Sequence, residues 1–210
     1  MPICAFLPPD RKLTFTSRYR GAAPDRQGRR GPRGLRVVEG EHAEMAVDRS
    51  VVGQPTGAWK VTVERGPVSR FAAAVCDDNA VYRDPRAARD AEFANIPAPP
   101  TFTFAASFWG SFCEDQPPDP SGGQNPMHRV MGELFAKGAL VLHGEQEFEY
   151  HRPIVVGDVL DGNGRITDIY EKETDAATMT FVVVETEWAD AASGAPVVTE
   201  WFNLIARLKK

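Results

Sequence analysis

Apolar and polar positions change their spacing several times along this 210-residue chain. From Trp59 to Arg65 (Trp-Lys-Val-Thr-Val-Glu-Arg) they alternate, the period-two signature of a half-buried strand. Gly66-Pro67 then turns the chain. Pro67 suits the first helical position, so a short alanine-rich helix is predicted over Val68 to Cys76. Asp84-Pro85 repeats the cap-and-proline start, ahead of a second short helix from Arg86 to about Phe93. The stretch Pro97 to Pro100 breaks any helix, and an apolar, aromatic segment runs from Thr101 to Phe112. Glu114 to Pro126, with Pro117, Pro118, Pro120, Gly122 and Gly123, is predicted to be an exposed, mobile loop.

The last third reads as strand. Glu145 to Arg152 puts Glu147, Glu149 and His151 on one face and Gln146, Phe148 and Tyr150 on the other. Pro153 to Asp158 turns into a second strand, Val159 to Lys172, and Thr174-Asp175 marks a tight connection. Thr178 to Trp188 is strongly β-branched, and after a turn at Ala189 to Ala195 the segment Val197 to Leu208 closes an antiparallel meander. One strand, several helical pieces and a meander predict an α+β chain with helices on one face of an antiparallel sheet. No internal repeat is evident.

Composition adds bounds. The length suits one domain, and 42% hydrophobic with 25% charged residues is ordinary for a globular chain. No apolar stretch has bilayer length, and Pro8 and Pro9 spoil any secretory signal, so a cytoplasmic protein with no membrane partner is expected. Cys4, Cys76 and Cys113 are odd in number and widely spaced, which argues against a disulfide framework or a zinc site. No metal and no cofactor are expected. Charge is uneven: Arg11 to Arg36 holds nine basic residues and one acid, leaving 15 basic against 28 acidic from totals of 24 and 29. An acidic body predicts no nucleic-acid partner. Residues 1–48, rich in Gly, Arg and Pro, are expected to be a disordered tail ahead of a domain over 49–210. The tail reads as a basic arm for an anionic partner, as a solvated tail, or as sequence upstream of a true start at Met45; the last two are preferred.

Three stretches carry a resemblance. Phe71-Ala-Ala-Ala-Val-Cys-Asp-Asp-Asn-Ala-Val-Tyr-Arg-Asp-Pro resembles the segment of MaoC-like (R)-specific enoyl hydratases that bears the pattern Gly-Asp-x-Asn-Pro-x-His. Leu142-His-Gly-Glu-Gln-Glu-Phe-Glu-Tyr-His-Arg-Pro-Ile-Val-Val-Gly-Asp resembles the family's strand and turn ending in Arg-Pro-x-x-x-Gly-Asp. Ala98-Pro-Pro-Thr-Phe is similar to the start of the central helical segment in the N-terminal-type branch. That branch includes the accessory subunit of the mycobacterial fatty-acid-synthase-II dehydratase. The resemblance runs from about Val51 to the C-terminus. It implies a hot-dog fold, a curved antiparallel sheet wrapped around a central helix, and reversible loss of water from a 3-hydroxyacyl thioester on coenzyme A or acyl carrier protein. In that chemistry an Asp/His pair moves the C2 and hydroxyl protons, and backbone N–H groups hold the thioester oxygen.

On this chain the family's Asp falls on Asp77 and its Asn on Asn79, while Cys76, Ala80 and Tyr82 replace its Gly, Pro and His. A phenol titrates near ~10 and an imidazole near ~6.5, so Tyr82 is a poor proton shuttle and is read as structural. Asp77 reads equally as a site residue or as a local hydrogen-bonding loop residue. Asp77, Asn79, Tyr82 and His143 are the candidate catalytic positions. Ala98, Pro99, Pro100, Thr101, Phe102 and Gly144 are the candidate substrate contacts. His143 and His151 share a face only if their strand is regular, which Gly144 makes doubtful; His128 and His42 are weaker candidates. Phe102, Phe104, Phe108, Trp109 and Phe112 line an acyl channel or simply fill the core. The resemblance implies a dehydratase or hydratase subunit whose partner, a MaoC-like catalytic chain, supplies the Asp/His pair. The alternatives are a self-sufficient homodimer using Asp77 and a histidine, and a non-catalytic module that binds acyl thioesters.

Overall fold

Alternation of apolar residues through the C-terminal third builds three long strands, β5 (Val159–Glu173), β6 (Ala177–Asp190) and β7 (Pro196–Lys209), paired in sequence order as a meander. The computed structural model describes residues 13–16, 36–37, 47–108 and 113–210. Cys4, His42, Met45, Trp109, Phe112 and most of the arginine-rich stretch lie outside them. The remaining strands are β1 (Leu13–Thr16), β2 (Arg36–Val37), β3 (Pro55–Thr62) and β4 (Leu140–Tyr150). The sheet runs β1-β4-β7-β6-β5-β2, antiparallel throughout, and β3 pairs with β5 along residues 159–165. From the N-terminal segment, β1 lies against residues 147–150 of β4 and β2 against residues 172–173 of β5. Val47, just ahead of the predicted boundary at residue 49, is already buried.

Four helices, α1 (Arg65–Ala74), α2 (Pro85–Asp90), α3 (Phe102–Ala106) and α4 (Pro126–Ala136), cover one face of the curved sheet in a hot-dog arrangement. Val130 and Leu134 of α4 press on Ile166, Ile169, Val182 and Ala206. Phe102 and Ala106 of α3 join Phe148, Leu160, Trp188, Val197 and Val198 in a second cluster. Register shifts between Ile166 and Asp168 in β5 and between His143 and Gln146 in β4 bend the sheet around these helices.

Several elements differ from their expected bounds. The first helix starts at Arg65, so Pro67 lies inside its first turn, where its missing N–H would be unpaired anyway. The second ends at Asp90, three residues short. Helix α4 was not expected. The stretch before it is tied down: the Gln116 amide exchanges two hydrogen bonds with the Lys60 backbone of edge strand β3 (3.1 and 2.9 Å), and Asp119 accepts from the backbone of Ser121 and Gly123. Strand β4 starts at Leu140, ahead of the expected Glu145. Among the described residues, no helix is long and apolar enough to cross a membrane.

Candidate functional site

The three stretches that carry the resemblance converge in space. Two residues past the end of helix α1, Cys76 lies in the left-handed region (φ 58°), a conformation that a glycine, which the resemblance implies at this position, adopts without strain. Cys76 itself is an exposed free thiol. Next come two local side-chain turns: Asp77 Oδ1 accepts from Asn79 N (3.0 Å), and Asn79 Oδ1 accepts from Val81 N (3.1 Å). Arg83 donates to the Asp77 carbonyl (2.8 Å), and Arg65 donates to the Arg83 carbonyl (2.9 Å). This loop sets Tyr82 into the protein with 8% of its surface exposed, packed with Ala72 and Val81.

Tyr82 lies near Tyr150 at the end of β4, close enough to act on its ionisation. The Tyr150 hydroxyl accepts the Thr101 N–H at 2.7 Å. Burial pushes the Tyr150 phenol well above its ordinary value, and the charge of Glu200 and the nearby Tyr82 add to the rise, so it stays protonated. Thr101 has φ 70°, a strained conformation for a β-branched residue, and the Tyr150 bond helps to hold it there. Ala98 N donates to Ile154 O and Val156 N to Ile96 O (2.8 Å each), fastening the Ala98–Phe102 segment to the turn after β4. In that turn Arg152 reaches Asp158 (2.6 Å) and Asp190 (3.2 Å), Asp158 also accepts from Val155 N, and Gly157 takes φ 101°. The Arg-Pro-x-x-x-Gly-Asp pattern is therefore a brace: its charged ends pair across the turn that carries it.

The other candidates fall elsewhere. His143 is exposed, with its ring 4.7 Å from Phe202 and 5.6 Å from Phe104; these rings, rather than Asp77, are its contacts among the described residues. The β4 bulge puts His143 on the helix-covered face, whereas His151, beyond the strand end, pairs with Thr199 on the opposite face. A Cβ on Gly144 would meet Asn203 O and the Ile205 side chain at 2.8 Å, so this glycine permits close approach of β7. His128 is exposed in the first turn of α4, beside a polar cleft shared with Gln54 and Arg129. Phe108 is 73% exposed and packs edge-on to Phe104 (5.3 Å), while Phe102 is core, edge-on to Phe71 (5.8 Å).

Glu200 was missed. It sits on β7 beneath α3, 5% exposed, and its Oε2 accepts from the Thr103 hydroxyl at 2.7 Å. The Trp188 indole N–H acts on the same carboxyl while falling short of a full hydrogen bond. Burial pushes the Glu200 carboxyl up to about 7. The alternation Val198, Glu200, Phe202, Leu204, Ala206 held the signal, a carboxylate in the apolar phase of a strand.

Comparison with known proteins places this geometry. The model of the FAS1-like dehydratase domain region matches residues 50–200. The chain belongs to that family. Curated members of a group designated UPF0336 are similar over nearly their whole length. One from Streptomyces avermitilis is 36% identical over 166 residues, 78% of this chain and 97% of the relative. Another, from Thermobifida fusca, is 33% identical over 167 residues, 78% and 95% of the two chains. Among solved structures, a MaoC-like dehydratase has a TM-score of 0.55 at 26% identity, over 75% of this chain and 42% of that one. The ChsH1-ChsH2 complex of Mycobacterium tuberculosis has a TM-score of 0.56 at 22% identity, covering 72% of this chain and 83% of that one. The HadBC (3R-hydroxyacyl-ACP dehydratase) complex of the same organism has 0.50 at 20%, covering 77% and 99%. Their fold is the one described here. The segment that resembles Gly-Asp-x-Asn-Pro-x-His, Cys76 to Tyr82, is the loop that buries Tyr82.

Proposed function

We propose that this chain is the substrate-shaping subunit of an (R)-3-hydroxyacyl-thioester dehydratase, equivalently a trans-2-enoyl hydratase, acting on an acyl group carried by coenzyme A or acyl carrier protein. A partner chain supplies the catalytic Asp/His pair. One observation carries the reading: in a member of a dehydratase family, the position where the resemblance puts the imidazole holds a buried tyrosine, Tyr82. Dehydration removes the C2 proton and protonates the departing hydroxyl, and a group titrating far from neutrality serves neither step well.

What remains on this chain suits binding. The Ala98–Phe102 segment leaves Pro100 exposed and Thr101 half-buried, and Phe104 with the exposed Phe108 continues an apolar path toward Phe202. Two of the solved neighbours, HadBC and ChsH1-ChsH2, are complexes of two named components, which supports a partnered arrangement. The rival reading, a self-sufficient enzyme using Asp77 with His143, has to reconcile a carboxylate engaged in its own loop with an imidazole set between phenylalanines.

The test is hydration of a short trans-2-enoyl thioester, followed by loss of the enoyl absorbance. The purified chain is assayed alone and after co-expression with a family chain carrying the complete Gly-Asp-x-Asn-Pro-x-His segment. Activity in the mixture only is expected. Robust activity of the chain alone, abolished by Asp77→Asn or His143→Ala, overturns the reading in favour of the self-sufficient enzyme. A stable protein inactive in every pairing overturns it in favour of a binding module.

A further inference from the structure

Helix α3 has five residues, too few for its own backbone bonds to hold it. Two side-chain hydrogen bonds fasten it to the sheet. Tyr150 of β4 takes the Thr101 N–H just ahead of the helix, and Glu200 of β7 takes the Thr103 hydroxyl inside its first turn. Between them Phe102 enters the core, and two residues on Phe104 meets His143 and Phe202.

The second fastening is unusual. Thr103 is 1% exposed, so both partners of the bond are buried. Around Glu200 stand Thr186 and the Trp188 indole from β6, Tyr150 from β4 with Tyr82 beyond it, and Thr103 from α3. Among the described residues, none of the groups acting on the carboxyl is a cation. An apolar residue here would stabilise the core more than a carboxyl without a counter-charge. We propose that Glu200 is a positioning residue: through the Thr103 hydroxyl it seats α3, and with it the Thr101–Phe104 segment, against the sheet. The consequence for substrate rests on the reading of that segment given above; the seating itself does not.

The seat responds to pH. With its carboxyl raised to about 7, Glu200 is neutral in the seated state in mild acid and becomes charged above neutrality. A carboxylate with one hydroxyl donor in apolar surroundings draws water toward itself. The short α3 yields first, because the strands beneath it are paired along their length.

Amide hydrogen exchange on the full-length protein between pH 6 and 8.5, corrected for the intrinsic exchange rate, reads the seat directly. Peptides spanning Thr101 to Ala106 are expected to lose protection by about tenfold between pH 6 and 8.5, most of it below pH 7, while peptides from β5 and β6 hold theirs. Glu200→Gln keeps an acceptor for Thr103 without the charge, so protection should stay high across the range. Thr103→Val should give low protection at every pH. An unchanging wild-type segment, or a pH dependence that survives in Glu200→Gln, overturns the proposal. Should Glu200→Gln fail to fold, wild type and Thr103→Val decide it: they must differ at pH 6 and converge by 8.5, and any other pattern overturns it. No step needs enoyl hydration, so a failure of the dehydratase reading shows in the activity assay and not here.

Discussion

Tyr150 does at one residue what its neighbourhood needs twice: its ring fills space beside Phe148, and its hydroxyl takes an N–H that the strained Thr101 backbone would otherwise leave unpaired. Tyr150→Phe keeps the ring and removes only the acceptor. Leaving a buried donor unsatisfied costs about 1–3 kcal/mol, and a urea unfolding midpoint should fall accordingly with an unchanged slope. Nothing in the sequence singled out Tyr150, because a tyrosine on the apolar phase of a strand looks like core. The opposite holds at Cys76, Asp77 and Asn79. Their pattern was legible as a family segment, and the structure supplies its local physics: a left-handed residue followed by two side-chain turns. Thr101 was legible as part of Ala-Pro-Pro-Thr-Phe, but its positive φ was not, since β-branched residues rarely adopt it.

At the scale of elements, the long strands were plain from alternation and helix α4 was not. Its residues Val130 and Leu134, with Met127 and Met131 beside them, have helical spacing, but Pro126 read as the end of a loop. Asn125-Pro126 is the same cap-and-proline start that marked Asp84-Pro85, with the Asn125 side chain accepting from Met127 N at 2.9 Å. Asn125 also donates to the Thr56 carbonyl of β3, so one side chain caps the helix and ties it to the sheet edge. Asn125→Ala should lower stability by about 1–2 kcal/mol in chemical denaturation, toward the upper end of the range for a cap. The loop of prolines and glycines before it was legible as a loop. Its tethering was not, because the Gln116 bonds to the Lys60 backbone depend on an edge strand 56 residues away.

For the molecule as a whole, ionisation sets opposing slopes. Glu200 has its carboxyl raised from 4.5 to about 7, so its contribution is fully present below 4.5 and is lost as pH rises through 7. At 1.36 kcal/mol per unit the loss is at most about 3 kcal/mol, as an order of magnitude. Asp48, Asp119 and Asp190 are held below the usual carboxylate value, each first by a serine side chain, so their stabilisation is present above 3.8 and lost in stronger acid. Stability should therefore peak between about pH 4 and 5, decline from there to about pH 7 and level off above it. Glu200→Gln should flatten the neutral limb while leaving the acid limb, as urea titrations across pH would record. The fold class was legible from the order of elements, whereas this behaviour belongs to a depth of burial that only the assembled sheet and helices create.

The irregularity in β4 leaves the chain with slack. His143 faces Leu204 and Gln146 faces Phe202, so three steps along β4 match two along β7. One residue is surplus to the pairing, much as a spare letter between two words leaves both readable when it is struck out. Removing Gly144 should bring the two halves of the strand into regular step, with His143 and Phe148 still on the helix-covered side. The same excision at Glu147 would turn either Phe148 and Tyr150 or their upstream neighbours outward. Soluble yield and circular dichroism of the two single-residue deletions should separate them, the first folding and the second not. Length variation among relatives should then be tolerated at residues 144–145 and purged from the rest of the strand.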